Sequence, residues 1–330
     1  MRKKRRTNLV PVGLLVLAVA VRLLCEPGAE PPPTAEPVVE AAAAVTESAV
    51  TPRDLDIAPV PQPEPEPVPE PAPAALPQPV TLEWNDAAME SLSIRNQTGY
   101  TVFLDELAQQ PLQFDEDADG PTILLIHTHT TEAYTPEPGW EYEASDLMRT
   151  MDSNYNMVRI GDEVERVLTE AGYWVIHDES INDYPSYNSS YWTALERIEA
   201  WQARYPSIQM VIDLHRDAAA DAEGAFIPTS CTWGGEDTAQ LMLVCGSDYG
   251  GLEHPNWRQN LAFAMQLQLQ LELTRPGICR PLDLRCERFN QHATPLSLLV
   301  EVGTVGDTLS RALPAAEQFG TALAMVLEGL

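Results

Sequence analysis

Basic residues are scarce in this sequence. The 330 residues include 20 lysines and arginines against 49 aspartates and glutamates, which gives a formal net charge of -29 at pH 7. Nucleic-acid binding depends on Lys and Arg contacts to phosphates, so this balance excludes a nucleic-acid partner. The charge does not identify a substrate, because part of the acid excess lies in an N-terminal tail.

The motifs of several common enzyme classes are also missing. The sequence has no G-x-S-x-G, no Walker or dinucleotide glycine loop and no C-x-x-C pair. These absences argue against a serine hydrolase of the nucleophile-elbow type, a nucleotide-binding loop and a zinc knuckle. Four cysteines lie in the C-terminal part, an even number that permits two disulfides: Cys231, Cys245, Cys279 and Cys286. Reduced, buried cysteines are the simpler expectation for a domain too large to need disulfides.

The N-terminal residues have the pattern of an export signal. Residues 1–6 read MRKKRR, and an apolar run covers residues 9–21 and extends to Leu24. Basic residues before a short apolar core are typical of such signals, and they stay in the cytoplasm. We therefore expect residues 1–25 to be a signal-anchor in the cell membrane, with the rest of the chain extracytoplasmic. A cleaved signal followed by secretion is the alternative.

A proline-rich tail separates this signal from the folded part. Residues 26–80 consist mainly of Pro, Glu, Ala and Val, with PVPQPEPEPVPEPAPAALPQP as the densest stretch. Proline removes backbone donors and like charges repel, so the segment is expected to be a disordered, extended spacer. Residues 81–330 then form the catalytic domain, beginning with a short preamble up to about residue 120.

Strand and helix patterns alternate after this preamble. Apolar runs predict strands at residues 123–126, 173–177, 208–214, 241–245 and 298–302, and helical spacing covers residues 158–171, 191–204, 256–273 and 308–327. Alternation of this kind requires crossover connections. We therefore predict an α/β fold with a mostly parallel central sheet flanked by helices, in which functional residues collect at the carboxyl ends of the strands.

Three polar clusters lie at such strand ends. The segment from His127 to Glu132 (HTHTTE) follows the first strand, His215 closes the third, and Glu301 lies within the last. A catalytic zinc ion takes three protein ligands, often two imidazoles and a carboxylate, and activates water in the fourth position. His129, Glu132 and His215 could supply these ligands, and Glu301 the carboxylate that transfers protons.

Each of these signals is modest by itself. An H-x-x-E pair occurs often by chance, and a single histidine at a strand end is more often a satisfied polar group than a ligand. The coincidence of three strand ends favours a metal site. Arg216 could hold a substrate carboxylate or carbonyl, or else pair with Asp217. His292 could line the cleft.

Six segments together resemble the stage II sporulation protein P family. They are ILLIHTHTTEAYTP, MDSNYNMVRIGDEV, VIHD with NDYPSYNSSY, YPSIQMVIDLHRDA, HPNWRQNLAFAMQLQ and RFNQHATPLSLLVEVGTVGDTLSRAL, in the same order from about Ile94 to the C-terminus. The resemblance implies a membrane-anchored cell-wall hydrolase whose fold is of the zinc amidase and phosphorylase-hydrolase type. It also implies cleavage of peptidoglycan between glycan and stem peptide, with possible endopeptidase action, beside stage II sporulation proteins D and M.

Carried over by motif, the resemblance implies that His129 or His127, an acidic residue and His215 hold zinc, with Glu301 catalytic. The acidic ligand is ambiguous: in related amidases it often precedes the first long helix, where Asp152 lies here. The H-x-x-E spacing favours Glu132, which we choose, with His127 behind or beside the metal. A catalytically inactive peptidoglycan-binding scaffold and a zinc carboxypeptidase acting on free peptides are the alternative functions.

Overall fold

The computed structural model describes residues 92–108, 110–145, 147–233 and 235–330. The predicted signal-anchor, the spacer and the first part of the preamble lie outside these residues. Within the described ranges, no helix has both the length and the apolar character that a bilayer span requires.

In the described part of the chain, seven strands form the central sheet and two more form a separate hairpin. The sheet strands are β1 (Ile94–Asn96), β2 (Ile123–Ile126), β3 (Val175–His177), β4 (Met210–Asp217), β7 (Leu241–Cys245), β8 (Leu282–Leu284) and β9 (Leu298–Thr304). The hairpin consists of β5 (Ser230–Trp233) and β6 (Glu236–Ala239), which pair antiparallel. Within the residues that the structure describes, five α-helices accompany the strands: α1 (Leu104–Ala108), α2 (Met157–Glu170), α3 (Ser190–Arg204), α4 (Trp257–Thr274) and α5 (Leu309–Leu327).

The sheet is mostly parallel, as the sequence predicts. Its strand order is β1-β8-β7-β9-β4-β2-β3. Every neighbouring pair is parallel except β7 and β9, which run antiparallel. The α/β prediction is therefore confirmed.

Strand β2 shows why the sheet is covered on both faces. Ile123 and Leu125 belong to the larger apolar core, which includes α2, α4 and α5, whereas Leu124 and Ile126 belong to a smaller core with α3. All four side chains are fully buried. Successive side chains of a strand point to opposite faces, so an unbroken apolar run is what a strand between two layers requires. Truncating one of these leucines to alanine should cost about 2–5 kcal/mol of stability.

Helix α2 has sequence signals at both ends. The Asn156 side chain accepts a hydrogen bond from the Val158 backbone N–H and so caps the first turn. The helix ends before Gly172, whose positive φ of 97° suits glycine. Because β2 ends at Ile126 and α2 begins at Met157, the polar loop between them starts at the carboxyl edge of the sheet.

Some elements differ from the sequence prediction. Strand β4 continues to Asp217, so His215 lies inside the strand and does not close it. The short strands β1 and β8 pair with each other at one edge of the sheet and were not predicted. The expectation of reduced, buried cysteines holds for Cys245 alone: Cys231 and Cys279 are free thiols but only half-buried, and Cys286 is disulfide-bonded.

Candidate active site

The strand order brings the three predicted clusters together. Strand β4 lies between β2 and β9, with Ile126 opposite Asp213 and His215 opposite Glu301. The carboxyl ends of all three strands therefore meet at one edge of the sheet. Residues separated by more than eighty positions in sequence become neighbours because their strands are parallel.

A cavity of 190 Å³ lies at this edge. It is lined by all four residues that the sequence assigns to zinc and proton transfer: His129, Glu132, His215 and Glu301. Aromatic side chains complete the lining, namely Tyr187, Tyr191 and Phe289. The cavity is therefore a polar centre bordered by aromatic rings on one side.

His215 is held between two carboxylates. Its Nδ1 lies 3.7 Å from Oε2 of Glu132, and its Nε2 lies 2.9 Å from Oδ1 of Asp213. Burial lowers the pKa of His215, but the Asp213 carboxylate outweighs this effect and the pKa rises to about 9. His215 must therefore lose a proton before it can bind a metal ion.

Asp213 also fixes the loop after β2. Its Oδ1 accepts from the Thr128 backbone N–H at 2.8 Å, and its Oδ2 accepts from the Thr128 hydroxyl at 2.6 Å. Burial raises the pKa of Asp213, but the lowering by His215 and Thr128 is larger, so the pKa lies below its usual value. The buried Asp213 carboxylate thus connects β4 with the loop that carries His129.

His129 presents a neutral imidazole to the cavity. Burial, followed by the charge on His215, lowers the pKa of His129 to about 3. Its ring stacks on Tyr187 at 4.4 Å between centroids and lies 5.2 Å from the ring of His215. Its Nδ1 is buried and, among the described residues, has no hydrogen-bond partner. A neutral ring with an unpartnered nitrogen has the protonation state that a metal ligand needs.

Glu132 is held by two arginines. Its Oε1 lies 3.1 Å from Arg149 Nη2 and 3.7 Å from Arg216 Nη1, while Oε2 accepts from the Arg216 backbone N–H at 3.2 Å. Arg149 also pairs with Asp183 at 2.6 Å, and its guanidinium lies over the Tyr187 ring. The carboxylate is consequently ordered, with Oε2 on the side of His215.

Glu301 is a half-buried acid on β9. Burial raises its pKa to about 8, against the opposing effect of His215. Its Oε2 is buried and accepts no hydrogen bond from the part of the chain that the structure describes. A positive charge in the cavity would lower this pKa, because a nearby cation favours the carboxylate.

The donor types of His129, Glu132 and His215 suit a zinc ion. In the structure, however, the donor atoms of these three residues do not all lie within 4.8 Å of one another. Within the described ranges, one group of three possible ligands has its donor atoms within 4.8 Å of one another, and it comprises Asp162, His177 and Glu179. That group includes the histidine whose ring contacts His127.

His127 is engaged on both nitrogens. Its Nδ1 lies 3.3 Å from the Leu214 carbonyl oxygen, and its Nε2 lies 2.8 Å from Nε2 of His177. Burial, then His177, lowers the pKa of His127 to about 3. Burial also lowers the pKa of His177, but Asp162 and Glu165 raise it more, to about 9. His127 is absent from the cavity lining and leaves neither nitrogen free for a metal ion there.

Asp152, the alternative acidic ligand, lies away from the cavity. It is exposed, and its Oδ1 accepts from both the backbone and the side-chain nitrogen of Asn154. These are the bonds of a local turn. The geometry therefore favours Glu132 over Asp152.

The two residues predicted to bind substrate have different surroundings. Arg216 is buried, and its guanidinium donates to the carbonyls of Ala133 and Leu147, so it mainly holds loops in place. Asp217 pairs with Arg280 and not with Arg216. His292 lies in a short turn, Gln291–Ala293, outside the lining of the cavity.

Sequence reasoning missed Asp213, Arg149 and Tyr187. Asp213 had a usable signal, because an acid two residues before His215 in the apolar run MVIDLH shares its face of the strand. Arg149 and Tyr187 lie in irregular segments, and nothing in their sequence neighbourhood points to the site.

Comparison with known proteins decides the family. The sequence model described as "Stage II sporulation protein P (SpoIIP)" matches residues 62–324. The chain belongs to the stage II sporulation protein P family. The stage II sporulation protein P of Bacillus subtilis (strain 168) is 24% identical over 213 residues, which are 60% of this chain and 49% of that protein. The chain thus spans about half the length of this curated relative.

Solved structures with some likeness to this SpoIIP chain include three amidases. The amidase AmiC2 of Nostoc punctiforme has a TM-score of 0.39 and 13% identity, covering 64% of this chain and 98% of its own. The CwlD amidase of Clostridioides difficile, in complex with the GerS lipoprotein, has a TM-score of 0.39 and 12% identity, covering 63% and 95%. The catalytic domain of CwlV from Bacillus (Paenibacillus) polymyxa has a TM-score of 0.38 and 9% identity, covering 62% and 94%.

Proposed function

We propose that this chain is a zinc-dependent peptidoglycan hydrolase, an N-acetylmuramoyl-L-alanine amidase that acts on septal cell wall during engulfment in sporulation. Its family membership supports a role in sporulation. The observation that carries the catalytic part is the convergence of His129, Glu132, His215 and Glu301 on one cavity, from three separate strand ends. Additional endopeptidase action on peptide cross-links is part of the proposal.

His129, Glu132 and His215 would hold the zinc ion. Bound zinc supplies two things: it makes a water molecule acidic, toward a pKa of about 7, and it polarises the carbonyl that is attacked. Neighbouring side chains hold two of these ligands in place. The aromatic rings of Tyr187 and Tyr191 contact His129, and Asp213 fixes His215 from behind.

Glu301 would move the proton. In its ionised form it accepts a proton from the attacking water, and it then delivers that proton to the leaving amine, so that amide and water become carboxylic acid and amine. A carboxyl whose pKa lies near neutrality can do both, and burial raises the pKa of Glu301 to about 8. A cation beside it favours the ionised form required for the first step.

A wide groove next to the cavity supports a polymeric substrate. It has a volume of 810 Å³ and shares Glu132, Tyr187 and Arg216 with the cavity. Leu147 and Met151 line it with largely exposed side chains. An extended apolar surface beside a polar centre suits a branched wall fragment better than a short free peptide.

The remaining parts of the proposal concern location and partners. We propose that residues 1–25 anchor the chain in the cell membrane with the catalytic domain outside it. Stage II sporulation proteins D and M are the proposed partners, together with peptidoglycan. Adding a protease to the outer side of intact membranes tests the orientation, since the catalytic domain should be degraded without the membranes being broken.

Digestion of purified sacculi tests the catalytic part. Wild-type protein should release stem peptides that begin with a free L-alanine amine, and Glu301→Gln should reduce this release by about 10²–10⁴-fold, the usual contribution of a general acid-base group. Mass spectrometry of the fragments identifies the bond. New amines within the cross-links would show the endopeptidase activity.

Controls separate the alternatives. Removal of metal with a chelator should abolish release, and zinc should restore it. Sacculus binding without cleavage by the wild type would support an inactive scaffold and contradict the proposal. Trimming of soluble peptides with no action on sacculi would support a carboxypeptidase.

A further inference from the structure

A second group of possible metal ligands lies beyond His127, at the junction of α2 and β3. His177 is the last residue of β3, Asp162 and Glu165 lie on α2, and Glu179 follows β3 by two residues. The donor atoms of Asp162, His177 and Glu179 lie within 4.8 Å of one another.

Close packing against α2 positions the His177 ring. Gly161 faces it from the helix, and a Cβ at this position would overlap the His177 ring and lie 2.8 Å from His127 Nε2. Only the missing side chain lets the two rings lie against the helix. The His177 side chain is 2% exposed, so the ring has a fixed orientation.

The hydrogen bonds of His127 show which nitrogen of His177 is available to bind a metal ion. The Leu214 carbonyl can only accept, so the Nδ1 of His127 carries the hydrogen. The neutral His127 then has a lone pair on Nε2, which accepts from Nε2–H of His177 at 2.8 Å. Nδ1 of His177 is left to face the carboxylates.

That nitrogen is buried and lacks a hydrogen-bond partner among the described residues. Asp162 Oδ1 and Glu165 Oε2 each lie 3.5 Å from it, too far or too poorly aligned for a hydrogen bond. The basic residues of the same helix pair elsewhere: Arg159 pairs with Glu163, and Arg166 pairs with Glu163 and Glu170. The carboxylates around His177 Nδ1 therefore hold a local excess of negative charge directed at one unpartnered nitrogen.

We propose that Asp162, His177 and Glu179 form a second divalent-cation site, separate from the catalytic cavity, and that it binds zinc. An imidazole nitrogen with carboxylate oxygens is a donor set that zinc accepts. Zinc ligands lie about 2.0–2.2 Å from the ion, so two of them are at most about 4.4 Å apart. Asp162 and Glu179 are exposed side chains, and small rotations of them close the present spacing.

The bound ion would join α2 to the segment after β3. It would also hold the His177 ring, whose other nitrogen contacts His127 at the end of β2. Its role is therefore structural: it stabilises the carboxyl edge of the sheet on which the catalytic cavity lies. The proposal does not depend on the catalytic zinc.

Zinc stoichiometry tests the site. The purified full-length chain is stripped with a chelator, dialysed against buffered free zinc and analysed for zinc per chain. Wild type should bind two equivalents, and the double variant Asp162→Asn with Glu179→Gln should bind one. Glu170→Gln, an exposed acid of the same helix that faces Arg166, is the matched control and should bind two.

His129→Gln separates this proposal from the proposed function. It should lose the catalytic equivalent and keep the second, and zinc should still raise its melting temperature. If wild type binds a single equivalent that only the Asp162/Glu179 variant loses, the second site stands and the catalytic zinc fails. If the Asp162/Glu179 variant binds as much zinc as wild type, or if His129→Gln binds none, His177 is only an ion-paired residue and the second site is refuted.

Discussion

Replacing Asp213 by asparagine is expected to weaken zinc binding at the catalytic cavity without unfolding the protein. Asp213 Oδ1 lies 2.9 Å from His215 Nε2 and accepts from the Thr128 N–H at 2.8 Å, and its other oxygen accepts from the Thr128 hydroxyl. Asparagine has almost the same shape. Its oxygen can keep the first two contacts, and its amide can donate to a rotated Thr128 hydroxyl.

What asparagine removes is the charge. Carboxylates behind metal-binding histidines typically contribute 10–100-fold to metal affinity, which is about 1.4–2.7 kcal/mol. We expect a loss of this size for Asp213→Asn, because the neutral amide no longer makes the His215 ring more basic. Asp213→Ala should instead destabilise the fold by about 3–5 kcal/mol, since it leaves buried partners of a broken ion pair uncompensated.

Zinc affinity is measured by competition with a chromophoric chelator, and stability by chemical denaturation of the metal-free protein. Asp283→Asn is the matched control, because Asp283 is also a buried strand aspartate and contacts Arg285 and Gln97 instead. It should reduce stability and leave zinc affinity at the catalytic cavity unchanged. If Asp213→Asn binds zinc within twofold of wild type, or if Asp283→Asn weakens binding equally, Asp213 does not act through His215.

Three further predictions follow from the same region. Gly161→Ala should lower the free energy of unfolding by about 2–4 kcal/mol in denaturation experiments, because overpacking and a displaced buried hydrogen bond outweigh the gain in helix propensity. Thr169→Ala, at an exposed position of the same helix, should change it by less than about 0.5 kcal/mol. A neutral effect of Gly161→Ala would contradict the packing of the His127–His177 pair. His127→Gln should keep the catalytic zinc and lower the melting temperature, while His129→Gln should lose that zinc. If zinc analysis instead shows that His127→Gln loses the catalytic zinc and His129→Gln keeps it, the roles of the two histidines are exchanged. In metal-free protein, the pKa of His215 is raised to about 9, so the stabilisation by its positive charge is fully present below about pH 6.5 and is lost as the pH rises to about 9. The difference in unfolding free energy between wild type and His215→Gln should therefore shrink across this interval. A constant difference would refute the ion pair with Asp213.

Much of the fold could be predicted from the sequence. The ends of β2 and β7 match the predicted strands, and α2, α3, α4 and α5 begin and end within one residue of their predicted bounds. These elements have long apolar patterns because they pack against the core along their whole length. The pairs β1–β8 and β5–β6 were missed, because each of these short strands contains polar residues and none is an unbroken apolar run like that of β2. Their pairing partners stabilise them instead.

The sequence by itself determined the kinds of residue available at the strand ends: two imidazoles and an acid in HTHTTE, His215, and an acid inside the apolar last strand. Only the tertiary structure decided which of them share the cavity. His127 and His129 are two positions apart and would share a face if β2 continued, but the strand ends at Ile126 and the chain then turns. Contacts with residues distant in sequence then fix the orientation of each ring. Leu214 and His177 hold His127 in the interior, while Tyr187 and His215 hold His129 at the cavity, and no local pattern encodes those contacts.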